Sequence, residues 1–69
     1  MDRYPHLRMR MDREGLTVRD LAEAAGIAER GVRDRLRGVH QWTLDEAMAV
    51  RKKLFPHETV DSLFQTDSS

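Results

Sequence analysis

Two short helical patterns joined by a glycine constrain this chain more than any other feature. They occupy Thr17–Gly38, TVRDLAEAAGIAERGVRDRLRG. Thr17 suits a helix N-cap, because its hydroxyl can accept from a first-turn N–H that has no intrahelical partner. Asp20, three residues on, is a shorter stand-in for the Glu or Gln of a capping box. Leu21, Ala22 and Ala25 then recur at helical spacing on one face. Gly26 falls where this helix must stop, and glycine adopts the left-handed conformation of a C-cap at little cost. Ile27 is expected as a buried turn residue. A second helix is expected from about Glu29, with Val32 and Leu36 facing inward at i, i+4 and Gly38 closing it. Helix, glycine-containing turn and a second helix with one apolar face make a helix-turn-helix pattern.

The flanking sequence supplies further helices. Residues 1–4 are expected to fray. Pro5 fits a first helical turn, where its missing N–H is no loss. A helix over Pro5–Glu14 follows, with Leu7 and Met11 inward and Gly15 at its end. Arg8, Arg10 and Arg13 are placed outward, as a solvated face or with one or two of them on phosphate. Leu16 is a core candidate. Val39 to Trp42 read as a loop. Thr43-Leu44-Asp45-Glu46 is a T-x-x-E capping box opening a helix to about Leu54, with Leu44, Ala47, Val50 and Leu54 inward. Arg51, Lys52 and Lys53 suit its C-terminal dipole. Pro56 forces a break. Thr59 caps a short last helix over roughly 60–64, from which Val60, Leu63 and Phe64 pack back. The expected domain is 1–64, with 65–69 as a disordered tail. No strand pattern, repeat or linker is visible.

At 69 residues this is one small all-α domain, and domains of this size bury only about 60% of the surface of their unfolded chains. There is no cysteine, so disulfides and thiolate metal sites are out. No apolar run approaches the ~20 residues of a membrane-spanning helix, and no secretory leader is visible. Lysine plus arginine equals aspartate plus glutamate at 12 each, but the charges are uneven. Residues 28–42 hold four arginines against Glu29 and Asp34, whereas 43–69 are net acidic. The local excess serves short-range phosphate contact, while the balanced total predicts weak non-specific nucleic-acid binding.

Taken together, the segments M-x-x-x-G-L-T at Met11–Thr17 and D-L-A-x-x-x-G-I at Asp20–Ile27, with the Gly26–Gly38 spacing, resemble the phage Cro/cI-like (XRE-type) helix-turn-helix repressors. The T-L-D-E-A-x-x-V and L-F-P…V-D-x-L-F segments are similar to small phage-type members. The resemblance covers about residues 7–64. It implies a compact five-helix, lambda-repressor-like fold, double-stranded operator DNA as ligand, a homodimer on a pseudo-palindromic site, transcriptional repression and a cytoplasmic, nucleoid-associated setting in a bacterial host. It also implies either a complete Cro-like protein or the N-terminal domain of a larger repressor. Two positions depart from the pattern. Ala28 stands where the family commonly caps its recognition helix with Ser or Thr, which weakens the cap by roughly 1 kcal/mol. Gly31 lies inside that helix, either for close packing on the preceding helix or for close approach to DNA.

In such a motif the N-terminal residues of the second helix reach base edges in the major groove. The candidates are Glu29, Arg30, Arg33 and Asp34. Arginine can donate to both O6 and N7 of guanine, and glutamate can accept from cytosine N4. Glu29 is equally explained as a partner of the helix dipole. Asp34 either holds a neighbouring arginine or penalises a base or phosphate beside it. Phosphate candidates are Thr17, Val18 and Arg19 at a helix N-terminus, and Arg37, His40 and Gln41 after the recognition helix. Arg35 is read as facing solvent or phosphate. Trp42 packs under its loop, contacts a second copy or stacks on the sugar-phosphate chain. Phe55, Val60, Leu63 and Phe64 are the dimer candidates, though most should be core.

No enzyme, metal, cofactor or small-molecule substrate is expected. His6, His40 and His57 are isolated, the four glycines form no phosphate loop, and Ser62, Ser68 and Ser69 have no base nearby in sequence. The alternative reading is a protein-binding antirepressor or inhibitor on the same fold, motivated by the zero net charge and the acids on the second helix.

Overall fold

The computed structural model describes residues 3–66, which form five helices and no strand. They are α1 (Pro5–Glu14), α2 (Val18–Ala25), α3 (Glu29–Leu36), α4 (Leu44–Leu54) and α5 (Val60–Leu63). The all-α five-helix architecture is therefore as expected. The fraying expected of residues 1–4 fails for Arg3 and Tyr4. Tyr4 is buried, and the Arg3 N–H donates to the Leu36 carbonyl at 2.9 Å. Met1 and Asp2 lie outside the described residues, as do 67–69 of the expected tail.

Local chemistry explains the boundaries. Thr17 caps α2: its hydroxyl accepts from Asp20 N–H at 3.3 Å, while the Asp20 carboxylate accepts from Thr17 N–H at 2.8 Å. The shorter aspartate thus completes the box. Gly26 ends α2 at φ 73°, and its N–H donates to the Ala22 carbonyl at 2.9 Å. That left-handed residue reverses the chain within three residues, so that α3 begins packed on α2. Thr43 and Glu46 form a second complete capping box at α4. Thr59 caps α5, its hydroxyl accepting from Ser62 N–H at 3.1 Å. α1 has no side-chain cap and begins instead with Pro5.

The core gathers one stripe from each helix: Leu7 and Met11, Leu21, Val32 and Leu36, Val50, and Leu63, joined by Tyr4 and Phe55. Ala22, Ala24 and Ala47 are small buried residues, and small side chains let α2 approach α3 and α4 closely. Leu16, Val18, Ala25, Ile27, Trp42, Leu54 and Phe64 pack around this core as half-buried residues.

Several inward assignments need correction. Leu44 is 67% exposed. At 100° per residue it lies about 120° round the helix from Val50, off the stripe that Ala47, Val50 and Leu54 share. Ile27 is half-buried rather than buried, because it occupies the rim of the turn. Phe55 and Leu63 are buried and Val60 and Phe64 half-buried, so none of these four offers an open apolar surface for a second copy. Arg10 is not part of a purely solvated face. It reaches Glu14 at 2.7 Å and Glu58 at 3.3 Å, and His6 Nε2 lies 3.1 Å from the same Glu58 carboxylate. These contacts tie α1 to the α4–α5 connection.

Candidate nucleic-acid interface

The α3 helix has two unlike faces. Its inner face is set by Val32 and Leu36, four apart and buried. Arg35 accompanies them, only 18% exposed. Its Nε and Nη2 donate to the two Glu46 oxygens at 3.0 and 3.2 Å, a forked pairing, and its Nη1 donates to the Gly31 carbonyl at 3.0 Å. Arg35 is thus a clamp between α3 and α4, which corrects its reading as a solvent- or phosphate-facing side chain. The sequence signal was obscure because the partner lies eleven residues away, across a loop.

Gly31 acquires a physical role from this clamp. A Cβ there would lie 3.1 Å from Arg35 Nη1 and 3.7 Å from Ile27 Cδ1. The missing side chain makes room for the guanidinium, so the close packing at Gly31 is with Arg35 and the turn rather than with the body of α2.

Glu46 is held from both sides. Partial burial pushes its pKa up, but the Thr43 backbone N–H, the Arg35 guanidinium and the Thr43 hydroxyl outweigh that. Its carboxyl is held below the ordinary carboxylate range.

The outer face carries Glu29, Arg30 and Arg33, all exposed. Arg33 is 56% exposed, with Nη2 3.4 Å from Glu29 Oε1 one turn earlier. Such an exposed i, i+4 pair is weak, worth about 0.3–0.5 kcal/mol, and so is easily exchanged for another partner. Asp34 lies lower on the helix and binds Arg37 at 2.9 Å. The structure thus places it against a neighbouring arginine, one of its two expected roles. Arg37 remains 65% exposed. α3 begins at Ala28, whose backbone has the extended N-cap form at φ −71°, ψ 154° but whose side chain caps nothing. The first N–H groups of α3 therefore have neither an intrahelical nor a capping acceptor.

The flanking candidates divide into groups. Val18, Arg33 and Arg37 line one open groove together with Arg8 and Leu36. Of the three α1 arginines expected on a solvated face or on phosphate, Arg8 is the one that lines this groove. Arg19 and Glu29 line a second groove on the other side of the turn, beside Gly26 and Ala28. Arg19 also pairs loosely with Glu23 at 3.6 Å. Thr17 is committed to its capping box, with both its hydroxyl and its N–H bonded to Asp20. His40 and Gln41 are exposed in the loop after α3 and line neither groove.

Trp42 packs edge-on to Phe64 at 5.2 Å between ring centroids, beneath the loop as one of its expected readings has it. Its indole N–H has no hydrogen-bond partner among the described residues.

Among the described residues no helix is long and apolar enough to cross a membrane. Comparison with protein-family models, with curated proteins and with solved structures finds no match to this chain.

Proposed function

We propose that α2, its turn and α3 form a helix-turn-helix unit that reads double-stranded DNA, as in the Cro/cI-like repressors that the sequence resembles. In this reading the protein is a transcriptional repressor, two copies of which occupy a pseudo-palindromic operator. The observation that carries it is the sorting of the α3 arginines. Arg35 is turned into the fold, while Arg30 and Arg33 stand exposed on the opposite face, with none of the described residues over them. Arg30 and Arg33 contact base edges, with Glu29 accepting from a base or releasing Arg33 to do its work. Arg37 takes phosphate on one side, and Val18 and Arg19 in the first turn of α2 take it on the other.

Selection from a randomised duplex library, followed by titration over a salt series, tests this. The chain should enrich one sequence, and log K should fall linearly with log salt, by about 0.9 for each phosphate neutralised. Arg30→Ala or Arg33→Ala should cost about 1–3 kcal/mol of discrimination at one base position. Arg37→Ala should weaken all sequences alike and flatten the salt slope by about 1. Failure to enrich any sequence ends the reading.

A second reading, a protein-binding antirepressor, draws on the acids of the same helix. Glu29 and Asp34 partly neutralise Arg33 and Arg37. It predicts weak DNA affinity at every salt concentration, and capture of a host protein that Arg30→Ala with Arg33→Ala abolishes.

A further inference from the structure

The two grooves beside the turn carry a pattern of charge that the packing of the fold does not require. Arg8, Arg33 and Arg37 line one of them and Arg19 the other. Each of these four arginines meets an acid three or four residues away in its own segment. Arg8 meets Asp12 at 3.8 Å, Arg19 meets Glu23 at 3.6 Å, Arg33 meets Glu29 at 3.4 Å and Arg37 meets Asp34 at 2.9 Å. These eight charges sum to zero. Exposed Arg30 meets no carboxylate among the described residues, because Asp34, four residues on, is turned to Arg37. Helix stability does not account for the pairs. In two of them the arginine precedes its acid, the weaker order in a helix. Arg19 lies in the first turn of α2 and Glu23 in its last, so both oppose the helix dipole, as does Asp12 in the last turn of α1.

We infer that Asp12, Glu23, Glu29 and Asp34 are built-in rivals of the DNA phosphates, which hold down phosphate-only binding so that base contacts decide which duplex is kept. The inference rests on the proposed DNA reading and names what regulates affinity at that same face. To take a phosphate, an arginine must leave its carboxylate. The exchange is easy, because exposed pairs of this kind are weak. The released carboxylate nevertheless stays within a turn of the phosphate and repels it. The face therefore brings little net charge to the duplex and gains little from counterion release. On the selected sequence Arg33 turns to a guanine edge and Glu29 to a cytosine amino group. On any other sequence Arg33 has only phosphate to turn to, and Glu29 faces the duplex without a donor. Glu29 thus sets discrimination, and the other three acids set the overall level of binding.

The test titrates the selected duplex and a scrambled one over a salt series. It uses the parent, Asp12→Asn, Glu23→Gln, Glu29→Gln and Asp34→Asn singly, and the quadruple variant, with helical circular dichroism as the check on each fold. Each single variant should bind the scrambled duplex about threefold tighter, the gain from removing one charge about 7 Å from a phosphate in water, and the quadruple variant about 50-fold tighter. The slope of log K against log salt should steepen by up to about 0.9 for each acid removed. Glu29→Gln should gain less on the selected duplex, narrowing the gap between the two by about threefold. A quadruple variant that binds the scrambled duplex within about twofold of the parent, at an unchanged salt slope, overturns the inference. So does an equal gain on both duplexes from Glu29→Gln. Where the parent selects a sequence and the quadruple variant is indifferent, only this inference falls. Where the parent selects none, the scrambled duplex still decides: tight, salt-dependent binding by the quadruple variant sinks only the sequence-reading function, and no binding sinks both.

Discussion

The starts of α3 and α4 share a backbone and differ in everything attached to it. Ala28 and Thr43 both hold the extended N-cap conformation, at φ −71°, ψ 154° and φ −78°, ψ 159°. Thr43 and Glu46 close a reciprocal box there, and Glu46 also receives Arg35. Ala28 closes nothing, and its helix presents Glu29, Arg30 and Arg33 to the outside. A helix start saturated with internal partners acts as scaffold. One that leaves its donors uncapped and its charges only loosely paired is a surface available for contact. The clamp from Arg35 to Glu46 joins the two, so the scaffold helix sets the pose of the open one.

Removing the clamp is the strongest way to break this contrast. Arg35→Ala leaves the Glu46 carboxylate half-buried without its fork and should cost about 2 kcal/mol, read as a lower urea midpoint at unchanged slope. A loss below about 0.5 kcal/mol would mean that the pair behaves like any surface ion pair. Exchanging the caps comes next. Ala28→Ser should stabilise the chain by about 1 kcal/mol and Thr43→Ala should destabilise it by about as much, so the double variant melts near the parent. No gain from Ala28→Ser would show that the α3 terminus is already satisfied.

Acid offers a gentler test. Because the folded Glu46 carboxyl is held below its ordinary pKa, the unfolded state binds its proton first as pH falls. Its contribution is complete above the unfolded carboxylate value of about 4.3 and is lost as pH drops through the lower folded value. The stability difference between parent and Glu46→Gln should therefore shrink in that acid window and stay level above it. Gly31→Ala should show the smallest effect. A helix-propensity gain of up to about 1 kcal/mol opposes the displacement of Arg35, leaving a net change near zero. In the Arg35→Ala background the gain should appear in full, and the difference measures the coupling.

What could be read from the sequence was what short-range chemistry decides. Thr17, Gly26, Thr43, Pro56 and Thr59 act on their immediate neighbours, and each placed a helix end within a residue of where it lies. The outward Arg30 and Arg33 follow from the inward Val32 and Leu36 by helical geometry alone. What escaped depends on distant partners. Arg35 has the composition of a surface residue, and only Glu46 across the loop draws it in. Leu44 has the right type and nearly the right spacing for the core, but sits off the stripe at the first turn of its helix. Tyr4 looked like part of a loose end until its contact with Phe64, at 6.0 Å between rings, is considered. Periodicity within one segment carries no information about such meetings.

That last contact gives the molecule an optical reporter of its own. The chain has a single tryptophan, Trp42, whose ring lies against Phe64, which in turn meets Tyr4. Three remote stretches, the beginning, the α3–α4 loop and the final helix, therefore meet around one fluorophore. Its emission follows the closing of this clasp, while far-ultraviolet dichroism follows the helices. If the clasp loosens before the helices melt, fluorescence departs first on heating; if the chain opens as one unit, the two curves superimpose.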